Sequence, residues 1–295
     1  MLNYTMIDSD SALLALIDTW NQQGIKSVAM DFEGEFNLHI YGEHLCLIQL
    51  YDDKTYYLVD PFQISKAVLK QFLEDASFEK VMFDCASDSA LVRKQYGIIL
   101  KNVHDIRVSA LALGYTGNLT GLIDRYIGVE ETLVGMNKKK SQMTNWLIRP
   151  LKREQIQYAL SDVQHLLALK DLLFSEVKKQ GLAQRVEQDM LQVGKSKGPD
   201  KPGWTKFSSW KYLSKEEKVF LKHFFIARDS LARKYNVPAV RIMEKHLLLQ
   251  MAKNLPATEA DFHVYCSKIS TRTCNELLKL LANAKEEAVT ELKQV

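Results

Sequence analysis

Residues 27–35 read Ser27-Val28-Ala29-Met30-Asp31-Phe32-Glu33-Gly34-Glu35. The stretch begins apolar, and this pattern predicts a buried β-strand that ends among acidic residues. Because side chains alternate between the two faces of a strand, Asp31 and Glu33 point the same way. Paired carboxylates at the end of a core strand suit a hard cation such as Mg²⁺ or Mn²⁺. The alternative is that both are solvated acids, since an Asp-x-Glu triplet is common.

The composition is that of a globular protein. The chain has 295 residues, of which 46% are hydrophobic and 25% charged, and this length suits one large domain or two. No apolar run reaches the roughly 20 residues of a membrane span, and the first residues lack the features of a signal peptide. The four cysteines fit neither a disulfide framework nor a Cys-x-x-Cys metal site. We therefore expect a cytoplasmic protein with no membrane contact, in which Cys46 and Cys85 are buried thiols.

Net charge is unevenly spread along the chain. Residues 191–295 carry 19 Lys and Arg against 11 Asp and Glu, a net charge of +8, whereas residues 1–190 carry a net charge of −5. A basic C-terminal part suggests a polyanionic partner, and lysines that serve only solubility are the alternative. A stretch rich in Gly, Pro and Lys at 194–206 predicts a linker. We place the linker at 191–209, between domains at 1–190 and 210–295.

The N-terminal part has the pattern of an α/β domain. Further apolar runs predict strands at 45–50, 55–60 and 79–83. The short connections between the first three strands favour an antiparallel meander. Helical periodicity predicts helices at 10–22 (capped by Asp8 or Asp10), 64–75, 105–114, 118–128 and 152–180. The C-terminal part is helical throughout, with helices predicted at 214–235, 241–254, 258–267 and 270–292.

Three further polar residues lie where they can face the end of the first strand. Asp88 falls in the first turn of the helix after the 79–83 strand, with Ser87 as the predicted cap, and ligand sites of α/β proteins gather at such positions. Tyr158 and Asp162 are four residues apart in a helix and share a face. The alternatives are local: Asp88 stabilises its own helix dipole, and the other two form a surface pair.

Taken together, these residues predict one site. Four carboxylates, at positions 31, 33, 88 and 162, suit a pair of divalent ions about 4 Å apart, which is the arrangement that hydrolyses phosphodiesters by in-line displacement. A basic loop at 136–142, with lysines at 138–140, suits either a phosphate backbone or plain solvation.

These motifs resemble those of the DEDD exonuclease superfamily, in its Tyr-containing subgroup, and most closely the ribonuclease D family. The first motif is Asp31-Phe32-Glu33, followed by the strand at 45–50, and the second motif spans residues 80–88. The third combines Trp-x-x-Arg-Pro-Leu at 146–151 with Tyr-x-x-x-Asp at 158–162. The resemblance covers about residues 10–180, and the ordered set is highly specific. Phe83 departs from the family pattern, which usually has His at this position.

The resemblance implies a ribonuclease H-like fold, a mixed five-stranded sheet with helices on both faces. It implies that Asp31, Glu33 and Asp162 hold the ion on the nucleophile side. It further implies that Asp31 bridges to a second ion and that Asp88 binds through water. It also implies that Tyr158 orients or helps to deprotonate the attacking water, and we expect it to position the water more than to abstract a proton, because a phenol with a pKa near 10 is a poor base at pH 7.

The C-terminal part resembles an HRDC domain over roughly residues 210–290. The likeness rests on the segments 225–232, 236–239 and 255–258. The family role is nucleic-acid binding, and a module that only packs against the first domain is the alternative.

The two resemblances imply a two-metal-ion 3′→5′ exoribonuclease that uses Mg²⁺ or Mn²⁺ and releases nucleoside 5′-monophosphates. The 3′ ends of RNA, including tRNA precursors, are the expected substrates. A 3′→5′ DNA exonuclease of the repair or proofreading type is one alternative. A non-catalytic RNA-binding protein on an exonuclease fold is another, and the presence of all five site residues argues against it.

Overall fold

The computed structural model describes residues 3–128, 143–193, 201–266 and 269–294. The chain divides into two compact units. The first contains the described residues up to Glu35 and those from Glu43 to 193, and the second contains residues 36–42 and the described residues from 201 onward. The lysines at 138–140 and residues 194–200 of the predicted linker lie outside the described residues.

The first unit is built on a β-sheet with helices packed against it. Its strands are β1 (Tyr4–Ile7), β2 (Ser27–Phe36), β3 (Glu43–Tyr51), β4 (Tyr56–Val59), β5 (Glu79–Met82) and β6 (Val103–Asp105). Its described helices are α1 (Asp10–Gln23), α2 (Lys66–Glu74), α3 (Ala86–Tyr96), α4 (Ile106–Ala112), α5 (Leu119–Ile127), α6 (Arg153–Val163), α7 (Leu166–Lys179) and α8 (Ala183–Met190).

The strands form one mixed sheet in the order β1-β4-β3-β2-β5-β6. Strands β3 and β4 pair antiparallel, whereas the pairs β1–β4, β2–β5 and β5–β6 are parallel. The predicted α/β fold with a mixed sheet is confirmed, but the described residues form six strands rather than the predicted five. Strand β1 was missed because only Ile7 of its four residues is buried, and β6 has only three residues.

The two faces of the sheet carry separate hydrophobic cores. From β2, Val28, Met30 and Phe32 enter one core, together with Trp20 of α1. Ala29 of the same strand enters the other core, where α6 and α7 pack. Alternation along β2 thus divides its side chains between the two faces, and Asp31 and Glu33 share the face of Ala29.

In the first unit, two predicted helix caps and the continuity of one predicted helix differ from the structure, and in the second unit the predicted helix at 241–254 is interrupted at 243–244. Ser9, rather than Asp8 or Asp10, caps α1 by accepting a hydrogen bond from the backbone N–H of Ala12 (3.3 Å). Helix α3 begins one residue before the predicted cap Ser87, with Cys85 as its N-cap. The predicted helix at 152–180 is two helices, α6 and α7, separated by a turn at 164–165. The apolar periodicity continues across this turn, so the pattern did not reveal it.

The second unit is helical, as predicted. Its described helices are α9 (Lys215–Tyr235), α10 (Ala239–Ile242), α11 (Lys245–Lys253), α12 (Glu259–His263) and α13 (Thr271–Lys293), with α9 packed along α13. Ser214 and Glu217 form a reciprocal capping box at the start of α9. Phe207 is buried in the core of this unit, although it falls inside the predicted linker.

All four cysteines are buried and free, as expected for Cys46 and Cys85. Among the residues described, no helix combines the length and the apolar character that crossing a bilayer requires.

A half-buried ion pair holds α7 against the sheet. Lys170 of α7 donates to Glu79 of β5 (2.8 Å), and the hydroxyl of Ser27 in β2 donates to the same carboxylate oxygen (3.0 Å). His104 of β6 lies 3.4 Å from the other oxygen. Burial alone would raise the pKa of Glu79, but hydrogen bonds from His104 and Lys170 lower that pKa to about 2. The ionised carboxylate therefore stabilises the folded state.

We predict that Glu79→Gln lowers the free energy of unfolding by about 2 kcal/mol at pH 7. The pKa of Glu79 is lower in the folded than in the unfolded chain, so its contribution is complete above about pH 4.5 and declines towards pH 2. Urea unfolding at pH 7 and pH 3 should show a smaller difference between variant and parent at pH 3. Glu176→Gln, at a surface pair, is the control and should change the free energy by less than about 0.5 kcal/mol. A pH-independent difference would contradict the prediction.

Candidate metal centre and active site

Two secondary-structure elements bring three carboxylates together. Asp31 and Glu33 project from the same face of β2, and Asp162 comes from the last turn of α6. One oxygen from each of the three lies within 4.8 Å of the others. Asp31 is half-buried, whereas Glu33 and Asp162 are each only 8% exposed. The carboxylates that the sequence placed on a strand, Asp31 and Glu33, and on a helix, Asp162, thus meet at one site.

The electrostatics of this cluster favour a bound cation. Burial raises the pKa of Glu33 well above its usual range. Repulsion raises this pKa further, because the carboxylates at 31, 162 and 88 act on it, and a hydrogen bond from Gln49 lowers it only in part. A divalent cation among oxygen ligands would relieve both the repulsion and the cost of burial. The residues present therefore fit a divalent metal ion.

Gln49 was not singled out by the sequence, although it orients Glu33. It is fully buried in β3 and donates through Nε2 to Glu33 Oε1 (3.3 Å). The available signal was one amide within the apolar run Leu45-Cys46-Leu47-Ile48-Gln49-Leu50, because a buried amide requires a polar partner.

Asp88 lies beside this trio rather than within it. Its side chain is half-buried near the start of α3, and its charge acts on Glu33. Burial raises the pKa of Asp88 to about 7, with repulsion from Asp105 and then Asp84 adding to the shift. Asp88 is therefore near enough to influence the cluster, while the three carboxylates that lie within 4.8 Å of one another are Asp31, Glu33 and Asp162.

Asp105 was overlooked as a site residue, and it fixes the turn that precedes Asp88. Its buried carboxylate accepts hydrogen bonds from the backbone N–H groups of Asp84 (2.7 Å) and Cys85 (3.1 Å). It also caps α4 by accepting from Arg107 N–H (2.9 Å). Asp84 has φ +57°, in the left-handed region that is uncommon for residues other than Gly but that Asp tolerates better than most. One carboxylate at the end of β6 thus holds the turn between β5 and α3.

Tyr158 is a neutral phenol at the edge of the cluster. Burial raises its pKa far above the ordinary range, and the charges of Asp162 and Glu33 raise it further. Its hydroxyl is hydrogen-bonded to Asp162, and its ring lies 6.1 Å from the ring of Trp146. Tyr158 is therefore placed to take part in hydrogen bonds at the cluster and to orient a group there.

The cluster opens into a cleft of about 450 Å³. Asp31, Tyr158 and Asp162 line it together with Phe83, Asp84, Leu166 and residues 118–120 at the start of α5. Phe83 leaves β5 beside β2, because the parallel pairing sets Ala29 level with Val81. The cleft thus presents acidic oxygens, a phenol and an aromatic ring to one ligand.

Other residues of the sequence motifs stabilise the fold around the site rather than line the cleft. Arg149 forms a bidentate ion pair with Asp60 (2.7 and 3.0 Å) and donates to the carbonyls of Cys46 (2.6 Å) and Trp146 (2.8 Å). It therefore ties the segment before α6 to the sheet. Lys80, fully buried in β5, donates to the backbone carbonyls of Asp75 and Lys101. Neither Arg149 nor Lys80 lines the cleft.

Comparison with protein families gives two matches. A 3′–5′ exonuclease family model matches residues 4–178, and an HRDC domain model matches residues 217–284. The second match lies within the helical unit that begins before α9.

Two curated relatives and one solved structure extend these matches. The exosome complex component 10 homolog of Caenorhabditis elegans is 26% identical, over 96% of this chain and 33% of the relative, so the chain spans about a third of that protein's length. Ribonuclease D of Cronobacter turicensis is 26% identical, over 86% of this chain and 68% of the relative. The crystal structure of Escherichia coli RNase D superposes with a TM-score of 0.73 and 23% identity, over 96% of this chain and 76% of that one. This likeness shows a shared fold.

We predict that Asp105→Asn lowers the free energy of unfolding by about 2 kcal/mol, because an amide oxygen is a weaker acceptor than a carboxylate oxygen and the amide nitrogen cannot accept a backbone N–H at all. The loosened turn should also reduce activity about tenfold through misplacement of Asp88. Urea unfolding and initial rates measure the two effects. The control is Asp171→Asn, an exposed position on α7. Unchanged stability and rate would show that the carboxylate does not hold this turn.

We also predict that metal affinity rises with pH. The pKa of Asp88 in the metal-free protein is raised to about 7, and that of Glu33 is raised as well, so a cation bound at the cluster favours their ionised forms and releases protons. The affinity for Mn²⁺ should therefore increase about tenfold between pH 6 and pH 8 for one displaced proton. Isothermal titration calorimetry in two buffers of different ionisation enthalpy measures both the affinity and the protons released. A pH-independent affinity with no proton release would refute the prediction.

Proposed function

Because the chain belongs to the 3′–5′ exonuclease family, we propose that it removes nucleotides one at a time from the 3′ end of RNA. The observation that carries this proposal is the convergence of Asp31, Glu33, Asp162 and Tyr158 on one cleft. The products are nucleoside 5′-monophosphates. Structured RNA, including tRNA precursors, is the proposed natural substrate.

The proposed site uses two divalent ions, Mg²⁺ or Mn²⁺. Asp31, Glu33 and Asp162 are the proposed ligands of one ion, with Asp31 shared and Asp88 holding the second through water. Bound ions of this kind supply positive charge that activates water and stabilises the leaving 3′-oxygen. The fixed carboxylates would hold that charge in place, and the two most buried of them, Glu33 and Asp162, are each only 8% exposed.

Tyr158 is proposed to position the attacking water. Its hydroxyl, held by the hydrogen bond that it donates to Asp162, can accept a hydrogen bond from that water and so fix its direction. Arg149 and Trp146 hold the start of α6 and so keep the phenol at the edge of the cluster.

The choice of RNA over DNA rests on the relatives. Those matched include proteins named ribonuclease D, and E. coli RNase D is described as an exoribonuclease involved in structured RNA processing. The basic, HRDC-like part, proposed as a domain over 210–295, is a second contact for the RNA backbone through its net positive charge. A cytoplasmic location is proposed as well, and the free, buried cysteines support it.

The test is degradation of 5′-labelled RNA and DNA of matched sequence, together with a structured RNA that carries a 3′ tail, in Mg²⁺, Mn²⁺ or EDTA. We expect a ladder that shortens from the 3′ end of RNA and disappears in EDTA. Asp31→Asn and Asp162→Asn should abolish the ladder yet retain RNA binding, because the lost charges serve the ions. Asp124→Asn, at an exposed position on α5, should degrade RNA at the parental rate.

Three outcomes would change the proposal. Equal or faster loss of DNA would favour a repair-type exonuclease. Parental rates in both carboxylate variants would show that the site is elsewhere. Binding of RNA without cleavage under either metal would favour a non-catalytic RNA-binding protein.

A further inference from the structure

One wall of the acidic cleft is an aromatic ring. Phe83 is half-buried and lines the same cavity as Asp31, Tyr158 and Asp162. It directly follows β5, which runs parallel to β2 with Val81 level with Ala29, so Phe83 leaves the sheet beside the middle of β2, where Asp31 lies. When the charged group of a ligand binds at the carboxylates, an adjacent part of that ligand therefore contacts this ring.

The ring is held in place on its protein side. It packs against the core that contains α6 and α7, and the guanidinium carbon of Arg107 lies 5.7 Å from the ring centroid. Arg107 is itself fixed, because it donates to the backbone carbonyls of Thr116 (3.2 Å) and Gly117. Phe83 thus presents a preorganised apolar surface to the cleft, at little cost in side-chain entropy when a ligand binds.

The chemistry of the cleft calls for a ligand with two unlike parts. The carboxylate cluster suits a phosphate with its cations, whereas a phenyl ring offers no hydrogen-bond donor or acceptor and suits a flat apolar face. A nucleotide has both parts, since every base has a π-face. His, the usual family residue here, would add ring nitrogens that can bond to a base or a phosphate, and Phe removes them.

We propose that Phe83 stacks on the nucleobase of the 3′-terminal nucleotide and so forms a base subsite that accepts every base without reading its edge. This inference rests on the proposed exonuclease function and names the contact that seats the departing nucleotide. The chain then discriminates by the presence and size of the base: purines are removed faster than pyrimidines, and an abasic nucleotide is removed slowly.

The test combines substitutions at position 83 of the protein with a change in the 3′-terminal nucleotide of the RNA. Two RNAs of the same sequence end either in a normal nucleotide or in an abasic ribonucleotide, which retains the phosphate and the 2′-hydroxyl. Single-turnover removal of that last residue is measured for the parent and for the variants Phe83→Ala, Phe83→Leu and Phe83→Tyr. In the parent, the normal terminus should leave about 5- to 100-fold faster than the abasic one.

The ratio of the two rates decides the proposal. It should fall towards one in Phe83→Ala and Phe83→Leu, and stay near the parental value in Phe83→Tyr, which retains the ring. Leucine keeps the apolar volume, so this variant decides the question if alanine disturbs folding, which thermal unfolding reports. Equal slowing of both RNAs would show a merely structural role and overturn the inference while leaving the exonuclease function intact. If the parent removes neither terminus, the proposed function and the inference both fail.

Discussion

The candidate site depends first on the alternation of side chains along β2. Val28, Met30 and Phe32 enter one core of the sheet, and Ala29 enters the other. Asp31 and Glu33, two and four residues later, lie on the same face of the sheet as Ala29. This face is also the one covered by α6. A slip of one residue in the pairing of this strand would turn hydrophobic side chains into the cleft and bury the acids in the opposite core. The same few residues of β2 therefore determine both the packing of the sheet and the assembly of the site.

Like-charge repulsion is the local cost of this arrangement. Glu33 and Asp162 are almost fully buried, and neighbouring carboxylates raise the pKa of Glu33 after burial has already done so. The free energy of unfolding of a folded domain is only about 5–15 kcal/mol, so the repulsion within such a cluster lowers it by a noticeable fraction. Polar support elsewhere offsets it, through the amide of Gln49 at the cluster and the ion pair between Glu79 and Lys170 at the far end of β5.

Much of the fold and of the cluster could be predicted because the relevant signals are local. The spacing of Asp31 and Glu33 on a strand, and of Tyr158 and Asp162 on a helix, follows from periodicity alone. Their catalytic roles stay predictions, although the structure places three of these carboxylates within 4.8 Å of one another. The supporting residues Asp105 and Arg149 could not be assigned, because their partners lie 20 and 89 positions away in the chain. Strand β1 was missed because a short and largely exposed edge strand has no strong pattern.

The connection between β5 and α3 also limits how the sequence can change in evolution. Phe83 directly follows the strand, Asp84 adopts a left-handed conformation, and Cys85 is the N-cap residue of the helix that carries Asp88. There is no spare residue in this connection. Inserting or deleting one residue would rotate every later position of α3 by about 100° and turn Asp88 away from the cleft. Substitutions at position 83 are compatible with this geometry, whereas changes in length are not, so homologous chains that retain the site should preserve the five-residue interval between positions 83 and 88 even where their sequences diverge.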